Sequence, residues 1–133
     1  MVLIQFDFFH FVSFIMRTRN SSFYFEVNMS NKLKELKQEM ILVYGLKCWL
    51  CGIEDKRLTG HHIIPLREFG PTTWDNIALL SRKQHDLFNM IELSNPKMAK
   101  KINGLFKELN MTMAPPDDGY YEEVNHVLKK IRK

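Results

Sequence analysis

The sequence predicts an α+β fold, a short two-stranded hairpin followed by a helix, with additional helices on both sides. Two observations carry this. Residues 57–64, "RLTGHHII", and residues 76–80, "NIALL", are short apolar runs bounded by turn-forming residues, as strands are. Before and after them, apolar residues recur at helical spacing, as in Leu33, Leu36, Met40 and Val43, and again in Leu87, Met90 and Ile91. The length of 133 residues fits one domain with appended helices. The order around the centre is strand, loop, strand, helix.

The elements follow in turn. Residues 1–29 form an apolar segment in which seven of the ten phenylalanines lie before residue 26. Asp7 and His10 interrupt the run, no basic stretch precedes it, and it falls short of the roughly 20 apolar residues a membrane span needs. No membrane is therefore expected as a partner, although Arg17 and Arg19 leave a signal-anchor as the other reading. Met29 opens "MSNKLKELKQEM", which resembles an ordinary protein start, so residues 1–28 are expected to be upstream translated sequence or disordered. Residues 30–46 are expected to be a helix capped by Ser30 and stopped by Gly45. "KCWLCG" forms a tight turn, and Pro65 ends the first strand. Ser81 caps the helix "RKQHDLFNMIEL", which closes a core spanning residues 47–93. Residues 94–133 form a basic helical extension. Asn95-Pro96 starts its first helix, Gly104 weakens that helix, "APPDDG" is a loop, and "YYEEVNHVLKKIRK" is the last helix.

The formal net charge is +4 and the pI about 9.1, a mild excess that permits a polyanionic partner without demanding one. Its distribution says more. Residues 95–109 carry four lysines against one glutamate, and 31–47 and 121–133 are each net basic, while the centre is not. Basic flanks around a less charged centre suit a chemical site held against a phosphate backbone. Taken singly, each of these segments reads better as a solvated amphipathic helix. The two cysteines, Cys48 and Cys51, make no disulfide framework.

The chemistry-bearing residues lie in "TGHHIIPLREFG", residues 59–70. Adjacent strand positions face opposite sides, so His61 and His62 present their imidazoles in two directions. Two imidazoles so divided can do different work: a neutral ring can take a proton from water near pH 7, and another can hold a divalent cation.

Cys48-Trp-Leu-Cys51, His61-His62-Ile-Ile-Pro65, Gly70, Asp75-Asn76-Ile-Ala-Leu-Leu and His85, in that order, resemble the HNH endonucleases of the ββα-metal group. The resemblance covers about residues 48–90. It implies a ββα-metal core and a metal-dependent endonuclease acting on double-stranded DNA. His62 matches the general base. His61 stands where the family usually has Asp, and looks like a metal ligand together with His85. Asn76 matches the middle Asn, expected to brace the loop and orient His62. Asn89, one helical turn after His85, could reach the ion directly or through water. The ion is expected to be Mg2+ or Mn2+, with a transition metal such as Zn2+ or Ni2+ as the other choice.

The chain departs from the family at one place. Many members carry a second C-x-x-C before the final His, completing a zinc knuckle, and here those positions are Ser81 and Gln84. Cys48 and Cys51 supply only half of the four ligands that a structural zinc takes. Trp49, Leu50, Leu79 and Leu80 are then expected to hold the turn by packing. Arg57, Lys56, Arg67, Arg82 and Lys83 are candidate backbone contacts, with Arg67 and Arg82 favoured. The other reading is a catalytically inactive DNA-binding module that keeps the shape. Small size and a near-minimal motif associate the chain with phage or homing-type enzymes, and so with a cytoplasmic setting, in the host for a phage protein.

Overall fold

Residues 21–131 are described in the computed structural model. Helix α1 spans Ser21–Tyr44, strand β1 Thr59–His62 and strand β2 Ile77–Leu80. Helices α2 (Arg82–Ser94), α3 (Pro96–Thr112) and α4 (Asp118–Ile131) follow. The chain divides into two units, Met1–Glu35 and Leu36–Lys133. Of the first, the described residues 21–35 are helical. The second contains the hairpin and everything after it. No described helix is long and apolar enough to cross a membrane.

The first helix differs from the expectation. Ser30 lies inside α1 and is not its N-cap. Neither Gly nor Pro interrupts residues 21–44, and serine in a helix interior costs only a few tenths of a kcal/mol. The helix does end near the predicted stop, with the Gly45 amide returning to the Ile41 carbonyl at 2.8 Å. Of the segment expected to be upstream or disordered, residues 1–20 lie outside the described residues, and 21–28 are helical.

The two strands pair antiparallel, with His61 opposite Ala78 and His62 opposite Ile77. Both are shorter than predicted. The turn ahead of β1 is taken by Asp55, whose carboxylate accepts the Arg57 amide at 2.7 Å. After His62 the chain leaves the ladder and runs through the loop to Asn76. All four residues of β2 are buried, so both faces of that strand are covered. That is why "IALL" has no polar alternation.

Helix α2 starts where predicted, with Ser81 Oγ accepting the Gln84 amide. Asn95 caps α3, with Pro96 in its first turn. Gly104 does not interrupt α3, which buries Ala99, Ile102, Phe106 and Leu109 on one face. The buried Asn110 amide donates to the carbonyls of Trp74 (2.6 Å) and Ile77 (2.9 Å), tying α3 to the start of β2. Trp49, Tyr44, Phe88 and Phe106 are the largest fully buried side chains among the described residues.

The C-x-x-C turn is closed from within the chain. Cys48 Sγ accepts the amides of Leu50 and Ser81, each at 3.4 Å. Trp49, Leu50, Leu79 and Leu80 are fully buried. From α4, the Tyr120 hydroxyl donates to the Trp49 carbonyl (2.5 Å) and the Tyr121 hydroxyl to the Cys48 carbonyl (2.8 Å). Gly52, at φ +76°, lies against the Tyr121 ring, where an added Cβ would come within 3.3 Å. Burial pushes both phenols above their ordinary pKa, so they stay protonated and keep donating.

Candidate active site

Strand alternation separates the two adjacent histidines. His61 points into the interior, 5% exposed, with its ring centroid 4.5 Å from Phe88 on α2 and 5.8 Å from Phe106 on α3. His62 is half-buried on the other face of β1. Both reach the same cleft of about 150 Å³, which His85, Asn89, Arg67 and Glu92 also line. The His61 and His85 rings meet edge to face, with centroids 5.4 Å apart.

Hydrogen bonds fix the proton positions on two of these rings. Thr59 Oγ1 donates its one hydrogen to the Leu80 carbonyl at 2.8 Å. It must then accept from His85 Nδ1, also 2.8 Å away, so His85 carries its proton on Nδ1 and has a bare Nε2. His61 Nε2 lies 3.0 Å from Asn103 Oδ1, an atom that can only accept. His61 therefore carries its proton on Nε2 and has a bare Nδ1.

Electrostatics favour the neutral rings. Burial lowers the His61 pKa to about 4, helped by His85 and His62 and opposed by the Asn103 bond and Glu92. Burial also lowers His62, with His85 adding to the effect. His85 is lowered by burial and by Arg82, against Asp86. All three imidazoles thus favour the neutral form near neutral pH.

Asn76 lies behind the cleft, and its side chain is fully used. Its Oδ1 accepts the Ile64 amide (2.8 Å), and its Nδ2 donates to the carbonyls of Ile64 (3.1 Å) and Pro71 (2.8 Å). Its backbone amide donates to the Thr73 carbonyl at 3.0 Å. Asn76 makes no bond to the His62 ring. That bond comes from buried Thr72, whose Oγ1 lies 3.0 Å from His62 Nε2. Thr72 sits between Pro71, whose carbonyl the Asn76 side chain holds, and Thr73, whose carbonyl the Asn76 backbone amide holds. Gly70 lets this loop close, because a Cβ there would lie 1.7 Å from the Ile64 carbonyl oxygen.

Of the basic residues singled out from the sequence, Arg67 alone lines the cleft, and it pairs with Glu92. Arg82 lies beside Asp86 at 3.6 Å. Arg57, Lys56 and Lys83 are exposed and line no part of the cleft. Thr59, Thr72 and Asn103 were not foreseen. Thr59 had a signal, since it precedes His61 by two residues on the same strand face.

The model of one known family, HNH endonuclease, matches residues 48–87, from the first cysteine to just past His85. These residues are an HNH domain. No curated protein and no solved structure gives a match. The matched segment of the HNH domain holds the C-x-x-C turn, the hairpin, the braced loop and the first turns of α2. Asn89, Glu92, Asn103 and the two tyrosines of α4 lie beyond it.

The fit of metals to the domain differs between two places. Among the described residues, no three His, Cys, Asp or Glu side chains gather as a metal-ligand cluster. Near Cys48 and Cys51, Ser81, one of the two positions where many members carry the second cysteine pair, uses its hydroxyl as a helix cap. His61 and His85, each with one bare ring nitrogen, both line the cleft. With metal–nitrogen bonds of about 2.0–2.1 Å, two rings sharing one ion have centroids about 5 Å apart, close to the observed separation. Two imidazoles suit a transition metal by softness and leave other positions for water and substrate, while Mg2+ is the usual ion of phosphoryl chemistry.

Proposed function

We propose that the HNH domain is a metal-dependent endonuclease that hydrolyses phosphodiester bonds of double-stranded DNA. The observation carrying this reading is the convergence of three neutral imidazoles on one cleft, two of them with a defined bare nitrogen. His61 and His85 would hold a divalent ion, Mg2+ or Mn2+, through Nδ1 and Nε2 respectively, with Asn89 close enough to contribute. When bound, the ion would neutralise charge on the phosphate and the leaving 3′ oxygen.

His62 acts as the general base. Thr72 engages its Nε2, which leaves Nδ1 to take the proton of the attacking water. Thr72 then accepts the Nε2–H and steadies the imidazolium that forms. Asn76 supports this by fixing the loop on both sides of Thr72. Arg67 at the rim offers a guanidinium to a backbone phosphate once it exchanges Glu92 for the substrate.

Supercoiled plasmid provides the test. Wild type and His62→Ala are incubated with EDTA, Mg2+ or Mn2+. The expected result is metal-dependent nicking that falls at least tenfold in the variant, within the range of about 100- to 10,000-fold typical of general-base catalysis. Plasmid that is shifted on a gel by both proteins and cut by neither would identify a DNA-binding module instead.

A further inference from the structure

One side chain of the site comes from well outside the family match. Asn103 lies on α3, 42 residues after His61, and makes the hydrogen bond at His61 Nε2. We propose that Asn103 is a positioning residue for the metal centre, committing His61 to bind the ion through Nδ1. This rests on the reading of His61 and His85 as metal ligands.

A neutral ring has one proton to place, and an acceptor at Nε2 places it there. Asn103 Oδ1 is such an acceptor. Phe88 and Phe106 pack against the ring and limit its freedom to turn. Hydrogen bonding of the distal nitrogen also raises the basicity of the ligating one. Helix α3, through Asn103, thereby becomes part of the metal centre.

The test has a readout that a purely structural role would not move. The full chain with 15N-labelled histidine is studied in EDTA at pH 7 by long-range proton–nitrogen correlation. His61 is expected to appear as the Nε2–H tautomer. Ni2+ and Mn2+ are then titrated calorimetrically into wild type, Asn103→Leu and Asn103→Asp. Asn103→Leu should bind about 10- to 100-fold more weakly, the usual effect of losing such a partner. Asn103→Asp, which can still accept the Nε2–H, should regain wild-type affinity or better. If Asn103→Leu does not fold, the tautomer and the Asp variant still decide. A wild-type Nδ1–H tautomer, or metal affinity indifferent to Asn103→Leu, overturns the inference while leaving the endonuclease reading intact. A wild type that takes up neither ion overturns both.

Discussion

Acidifying the metal-free protein should weaken it through His61. The imidazole has an ordinary pKa near 6.5 and is held at about 4 in the folded protein. The unfolded chain therefore takes up a proton first as pH falls. Stability at this residue is intact above pH 6.5, declines from there to pH 4, and is constant below. Each pH unit inside that window is worth about 1.4 kcal/mol, so the loss is about 2 kcal/mol at pH 5 and about 3 kcal/mol in full. Against a typical domain stability of about 5–15 kcal/mol this is a large share. Urea unfolding in EDTA at pH 7, 6 and 5, on wild type and His61→Leu, measures it. Leucine fills the space between Phe88 and Phe106 and strands Asn103, which lowers stability at every pH. His62 and His85, also lowered by burial, contribute to both proteins. The gap between the two curves should therefore shrink by about 2 kcal/mol from pH 7 to pH 5. Parallel curves would show that His61 is not the titrating group and that its burial has been misjudged.

Three other outcomes are expected. Asn76→Ala removes three hydrogen bonds from a buried loop and should lower unfolding stability by roughly 3 kcal/mol. Plasmid nicking should fall more than tenfold with it, because Thr72 loses its support. Gly70→Ala places a methyl group inside the Ile64 carbonyl and should destabilise by about 3 kcal/mol or more, read as a shifted urea midpoint. Tyr120→Phe and Tyr121→Phe should each cost about 1 kcal/mol, and the double variant at least their sum, with nicking per folded molecule unchanged.

What could be read from the sequence was local. The strand–loop–strand–helix order, the Ser81 cap and the Asn95-Pro96 start each depend on residues within one or two turns of each other, and each appears in the structure. The opposed faces of His61 and His62 follow from strand alternation alone. The meeting of His61, His62 and His85 needed the family's ordered spacing, since no local rule brings residue 85 to residue 61. Contacts made across long stretches of chain were invisible. Asn103 looks like any polar residue on an amphipathic helix, and Tyr120 and Tyr121 look like the opening of one. Thr72 hides in a turn-like "PTTWDN", where its burial depends on the loop closing over Gly70. The error at Ser30 has a different origin. A good capping residue marks a helix start only if something upstream forbids helix, and nothing between 21 and 29 does.

The two phenols on the C-x-x-C turn tie it to a helix far along the same chain. A turn clasped by zinc is stabilised in proportion to the logarithm of the free ion, and chelation takes that stability away. Here the clasp belongs to the same chain, 71 and 73 residues further on, so its effective concentration is set by α4 and does not depend on the surroundings. The hold that the two phenols have on this turn is therefore the same at any zinc concentration.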